Sequence, residues 1–84
     1  MRSDYITFRS VTPAQRAERL LKGSGIDCQL QRTPRWMEER GCGYCLRLRS
    51  TRVPESLAIL KKGGIAYSKV YTRRENGALE EMDP

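Results

Sequence analysis

The sequence predicts a small α+β sandwich in which the order strand, helix, strand occurs twice. Three observations carry that prediction. Short segments that alternate apolar and polar residues are separated by segments with helical spacing. Both helical segments open near a proline and close on glycine. The segment Leu20-Leu21-Lys22-Gly23-Ser24-Gly25-Ile26 also returns thirty-nine positions later as Ile59-Leu60-Lys61-Lys62-Gly63-Gly64-Ile65, with four identities in seven. Phe8-Arg9-Ser10 is echoed by Leu48-Arg49-Ser50 forty positions on. Two such halves joined by right-handed crossovers give a ferredoxin-like βαββαβ sandwich. Its sheet has four strands, mostly antiparallel, in the order 4-1-3-2, with two helices on one face. The other face stays open or packs against a second subunit, the latter giving a homodimer through the open face.

Taken in order, Tyr5-Ile6-Thr7-Phe8-Arg9 alternates and is rich in β-formers. Ile6 and Phe8 are expected in the core, with Tyr5, Thr7 and Arg9 outward. Thr12 is placed to cap the first helix, and Pro13 suits its first turn, where a missing N–H loses no partner. Ala14, Ala17, Leu20 and Leu21 make one narrow apolar face. Gly23-Ser24-Gly25 ends that helix. Ile26 to Gln31 forms the second strand, with Ile26, Cys28 and Leu30 inward. A loop from Arg32 to Gly41 follows. Pro34 stops the strand there, and Trp36 and Met37 either fold back over the domain or form a contact surface. The third strand is Tyr44 to Arg49, with Tyr44, Leu46 and Leu48 on one face and Cys45, Arg47 and Arg49 on the other. Val53-Pro54-Glu55 starts the second helix, on which Val53, Leu57 and Leu60 share a face, and Gly63-Gly64 ends it. Ile65 to Tyr71 is the last strand, of unsettled parity. Residues 1–74 form the single domain, and 75–84 read as an acidic, loose C-terminal tail.

The 84 residues carry a net charge of +6. All sixteen bases, twelve of them arginine, and six of the ten acids lie within residues 1–74, which are therefore +10. Such an excess favours an anionic partner. Three cysteines, no histidine and no recognisable signal peptide argue against a secreted disulfide framework and for a cytoplasmic protein with reduced thiols. No apolar run approaches the ~18 residues of a membrane span, so no membrane partner is expected.

The densest chemistry lies in Arg40-Gly41-Cys42-Gly43-Tyr44-Cys45-Leu46-Arg47-Leu48-Arg49. In the predicted topology the third strand is central. Cys42 sits at its entrance, beside the end of the second strand and the start of the first. Arg32, Arg35 and Arg40 belong to the adjoining loop, and guanidinium groups near a thiol stabilise its thiolate. Gly41 and Gly43 remove bulk on both sides of Cys42. Cys42 thus reads as a reactive carrier thiol, or else as a small residue in a tight turn. Cys45, of the same parity as Arg47, is either an auxiliary thiol or an incidental surface one. Cys28 has core parity and reads as inert. Cys42 and Cys45 are also a Cys-x-x-Cys pair, but it leads into a strand, not a helix. Three extended residues put the Cα atoms ~10 Å apart, against a disulfide limit of ~7 Å. Zinc in a structural site needs four ligands, and three cysteines without histidine fall short in one chain. No metal and no cofactor are expected.

The chain resembles the small bacterial and archaeal family of selenium/sulfur carrier-like proteins over about residues 4–72. The resemblance rests on the strand Tyr5–Phe8, on Ala17-Glu18-Arg19-Leu20-Leu21-Lys22 followed by Gly25-Ile26, and on Pro34. It rests above all on Cys42-Gly43 before Leu46-Arg47-Leu48, and on Leu60-Lys61-Lys62-Gly63-Gly64-Ile65. It implies that Cys42 carries sulfur or selenium as a persulfide or perselenide, with donor and acceptor proteins as partners. Residues 35–41 are longer and more basic than the family's usual link, and Cys45 is additional.

The function expected first is therefore a sulfur/selenium carrier with Cys42 as its thiol and Gly41, Gly43, Arg32, Arg35, Arg40 and Arg47 in support. The chain reads as a carrier or binding protein more than as a stand-alone enzyme. The alternative is a basic binding module without chemistry, holding RNA or an acidic protein on the open sheet face. Tyr5, Arg47, Arg49 and Tyr67 or Tyr71 would form its platform, although the third strand lacks the aromatic pattern of RNA-binding sheets. A third reading is a small domain that dimerises through its sheet and binds a metabolite.

Overall fold

Each half of the chain folds as a strand, a helix closed by a glycine turn, and a return strand that a strand of the other half separates from the first. The computed structural model describes residues 3–32, 43–73 and 79–82. In chain order these form β1 (Ser3–Phe8), α1 (Val11–Gly23), β2 (Cys28–Arg32), β3 (Tyr44–Arg49), a 3-10 turn (Ser50–Arg52), α2 (Val53–Lys62), β4 (Val70–Arg73) and β5 (Leu79–Met82). The sheet order is β2-β3-β1-β4-β5, and every neighbouring pair is antiparallel. The first four strands thus have the expected ferredoxin-like order. The fifth is an addition: the stretch read as a loose acidic tail contributes Leu79–Met82 alongside β4, with Val70 opposite Met82 and Arg73 opposite Leu79.

The seven-residue repeat is a repeat of turn chemistry. The Ile26 N–H donates to the Leu21 carbonyl and the Gly25 N–H to the Lys22 carbonyl, with Gly25 at φ 82°. Thirty-nine residues on, the Ile65 N–H donates to Leu60 and the Gly64 N–H to Lys61, with Gly64 at φ 70°. These are two Schellman closures, each needing a left-handed residue that glycine supplies without a Cβ clash. The helix starts are less regular. Helix α1 begins at Val11, one residue before the expected Thr12 cap; the extended Ser10 takes the cap position, without a side-chain bond. Pro13 still falls in the first turn.

The main core lies between the helices and one face of the sheet. Ile6, Phe8, Ala14, Ala17, Leu21, Ile26, Leu46, Leu48, Val53, Leu60 and Val70 are all buried there, with Tyr44 and Leu57 packed against them. The strand parities of Ile6, Phe8, Cys28 and Leu46 are as expected, and Val70 supplies the parity that the fourth strand left open. That strand starts five residues later than predicted. The Ser68 N–H donates to the Thr7 carbonyl, while the Lys69 N–H goes to Thr7 Oγ1 at 3.0 Å and the Lys69 carbonyl accepts from the Thr7 N–H. Two residues thus face one, the arrangement of a β-bulge, and regular pairing begins only at Val70.

Tyr5 and Thr7, expected outward, are buried as well. They lie on the helix-free face, where Tyr5 and Cys45 form a second cluster with Tyr71 packed against it. On the helix side, Asp4 is buried at 2% exposure. Its Oδ1 accepts from Ser50 Oγ at 2.7 Å and Thr72 Oγ1 at 2.8 Å, tying β1 to the 3-10 turn and to β4.

Two stability predictions follow from this geometry. Gly64→Ala should cost about 1 kcal/mol in a urea titration, because alanine is strained at positive φ. Gly23→Ala, in ordinary helical conformation with open space around its Cβ position, should be neutral or stabilising. Asp4→Ala should cost roughly 2–3 kcal/mol, since it leaves two hydroxyls without their charged acceptor. Asp4→Asn should cost less, by the same measurement.

Candidate functional site

The entrance to β3 is built from three strands. Gly43 is buried immediately before β3, and Tyr44, the first residue of β3, lies opposite Phe8 on β1 and Arg32 on β2. The entrance therefore stands beside the ends of both β1 and β2. The expectation placed it by the start of the first strand; antiparallel pairing of β1 with β3 reverses that. Cys42, Gly41, Arg35 and Arg40 lie outside the described residues, as do Trp36 and Met37. Of the predicted site, Gly43 and Arg32 are brought to one end of the sheet. Arg9, exposed and directly following Phe8, lies at that end as well. Sequence reasoning missed Arg9 in this role, although the antiparallel register alone would have shown it.

Arg47 is elsewhere. It is three steps along β3 from Tyr44, about 10 Å at ~3.4 Å per residue. It lies opposite Tyr5 and Gln29, and its Nε donates to Ser3 Oγ at 3.4 Å.

The other two thiols are enclosed. Cys45 lies opposite Thr7 and Gln31 and faces the helix-free side, as expected, but it is fully buried, not a surface thiol. The cause is the Tyr5 and Tyr71 packing on that face. Cys28 is 7% exposed on the helix side, with Sγ 3.9 Å from the Glu18 carbonyl oxygen. Burial pushes its pKa up from the ordinary value of 9.0; the Glu18 and Asp27 charges add to this and Lys22 opposes it. At neutral pH the Cys28 thiol keeps its proton and is a poor nucleophile.

Burial of Tyr5 also bears on the RNA platform. A base stacks on an exposed ring, and Tyr5 is only 8% exposed while Tyr67 packs against the main core. On this face the exposed side chains of β3 are Arg47 and Arg49. Among the described residues no group of His, Cys, Asp or Glu could hold a metal ion, and no helix is long and apolar enough to cross a membrane.

The chain belongs to the family described as "Putative Se/S carrier protein-like", whose model matches residues 4–72. That span runs from β1 into β4 and includes Cys42. No curated protein and no solved structure matches the chain.

Because the Cys28 pKa is higher folded than unfolded, the unfolded chain loses this proton first as pH rises. Stability owed to the protonated thiol is complete below pH 9.0 and falls as pH climbs toward the folded value. Urea midpoints measured between neutral pH and pH 10 should therefore fall more for the wild type than for Cys28→Ala. Equal slopes would contradict this.

Proposed function

We propose that the protein carries sulfur or selenium on Cys42. The thiolate of Cys42 attacks the outer sulfur of a donor's persulfide. The donor's S–S bond breaks as the new one forms, the donor's thiolate leaves, and Cys42 holds a terminal persulfide anion. An acceptor nucleophile then attacks that outer atom, and Cys42 leaves as thiolate. No external oxidant or reductant enters, because the sulfane sulfur only changes hands. A selenium atom in the outer position follows the same path as a perselenide.

One observation carries this reading: the family match spans Cys42 while the other two thiols are enclosed in the sheet. Cys28 and Cys45 lie on opposite faces and both are buried, which leaves Cys42 as the thiol to test. Gly43, its chain neighbour, is itself buried and gives the backbone a fixed departure point. Arg32 and Arg9 at that end of the sheet, with Arg35 and Arg40 adjacent in sequence, supply positive charge that favours a thiolate and an anionic outer atom. Gly41, adjacent to Cys42 in sequence, adds no side-chain bulk there. Donor and acceptor are expected to be proteins.

Incubation with a cysteine desulfurase and free cysteine, followed by non-reducing intact-mass measurement, tests the proposal. The wild type, Cys28→Ser and Cys45→Ser should each gain one sulfur atom, and Cys42→Ser should gain none. An adduct that survives Cys42→Ser, or no adduct on any variant, would overturn it.

A further inference from the structure

We infer that the sheet end remote from Gly43 holds a docking groove for an extended acidic segment of a partner protein, gripped by Arg47 and Arg49. An open groove of about 460 Å³ lies there, lined by Ser3, Asp27, Cys28, Gln29, Arg47, Leu48 and Arg49. Both arginines are exposed. Among the described residues, neither is paired with a carboxylate: the ion pairs there join Lys22 to Glu18 and Arg52 to Glu55. The hydrogen bond from Arg47 to Ser3 Oγ, at 3.4 Å, is long and exposed. It leaves most of the guanidinium donors for a ligand. Asp27, just ahead of Cys28, comes next to Arg49 in the register and is the one acid of the lining against two arginines.

Spacing selects the occupant. Arg47 and Arg49 are alternate residues of one strand, so their Cα atoms repeat at about 7 Å on one face. An extended peptide with acids at every second position has that same repeat, and each carboxylate can take a guanidinium in the two-pronged geometry. Gln29 and Ser3 flank the pair as neutral hydrogen-bonding groups. A single-stranded RNA would also meet the charge, but its bases need rings to stack on. Tyr5, directly opposite Arg47, is buried and cannot serve. The groove is independent of the Cys42 chemistry, so either can stand without the other.

Fluorescence anisotropy of a labelled peptide alternating Glu and Ser tests the inference at low salt. Arg47→Ser/Arg49→Ser should weaken binding roughly tenfold, two exposed charge pairs being lost. Arg16→Ser/Arg19→Ser removes the same charge from the exposed side of α1 and should leave binding within about twofold. Circular dichroism should report the same fold in both. Cys42→Ser should bind as the wild type does, so a failed sulfur transfer leaves this result intact. Equal losses for the two double variants would reduce the effect to net charge and overturn the groove. Tighter binding of oligouridine than of the peptide, lost in Arg47→Ser/Arg49→Ser, would assign the groove to nucleic acid and also overturn the inference.

Discussion

The antiparallel pairing of β1 with β3 is the constraint on which the rest of the molecule depends. Ile6 and Leu46 face each other on the helix side, both with no exposed surface. On the opposite side Thr7 faces Cys45, and Tyr5 lies two residues further along. Burying an Ile or Leu side chain contributes about 1.5–3 kcal/mol. With both faces of β1 covered, a one-residue slip would drive Tyr5 and Thr7 into the helix core and expel Ile6 and Phe8 from it. The register is therefore strongly specified. That register sets Gly43 and Tyr44 beside Phe8 and sets Arg49 beside Ser3 at the other end, and the pairing of β2 with β3 adds Arg32 to the first group.

The two helices approach each other at their C-terminal turns. A Cβ on Gly63 would stand 2.7 Å from Leu20 Cδ2, so the closing turn of α2 comes against the last turns of α1. Two negative dipole ends meet there, and Lys22, Lys61 and Lys62 occupy those last turns, where cations are favourable. The edge of the sheet is managed from the same helix. The Leu30 N–H on edge strand β2 donates to Glu18 Oε2 at 3.1 Å, occupying a donor that would otherwise template another strand.

How far the sequence revealed this depends on what each residue reports. Alternation exposed β1, β2 and β3 because one face of each meets a continuous apolar layer. The glycine turns were legible because positive φ nearly demands glycine. Strand β5 was not: Leu79-Glu80-Glu81-Met82 has the composition of a solvated tail, and its strand character comes from backbone pairing with β4. The late start of β4 was hidden because the bulge depends on one hydroxyl, that of Thr7, sixty-two residues away. The burial of Tyr5 and Cys45 was missed for a related reason. Period-two reasoning names the face of a residue but not what covers that face. Of the candidate site, the sequence singled out Cys42 and the arginines near it as candidates. That Arg32 lies at the β3 entrance and Arg47 away from it required the register.

That division gives the proposed carrier a physical logic. The outer sulfur of a persulfide is open to attack by any thiolate, so selectivity cannot come from the sulfur alone; it has to come from where a partner is held. From Gly43 to Arg49 is six strand residues, about 20 Å. A donor gripping Arg47 and Arg49 through an acidic segment would meet Cys42 with a second, distant part of its surface. Two weak contacts separated in this way act multiplicatively when the partner's geometry spans both, and add little when it does not. Charge at the groove would then choose the partner and speed encounter, while charge at the β3 entrance would tune the thiol. With Cys28 and Cys45 both enclosed, the proposed carrier would offer a partner Cys42 alone, and a single thiol could not discharge its cargo by closing a disulfide within the chain.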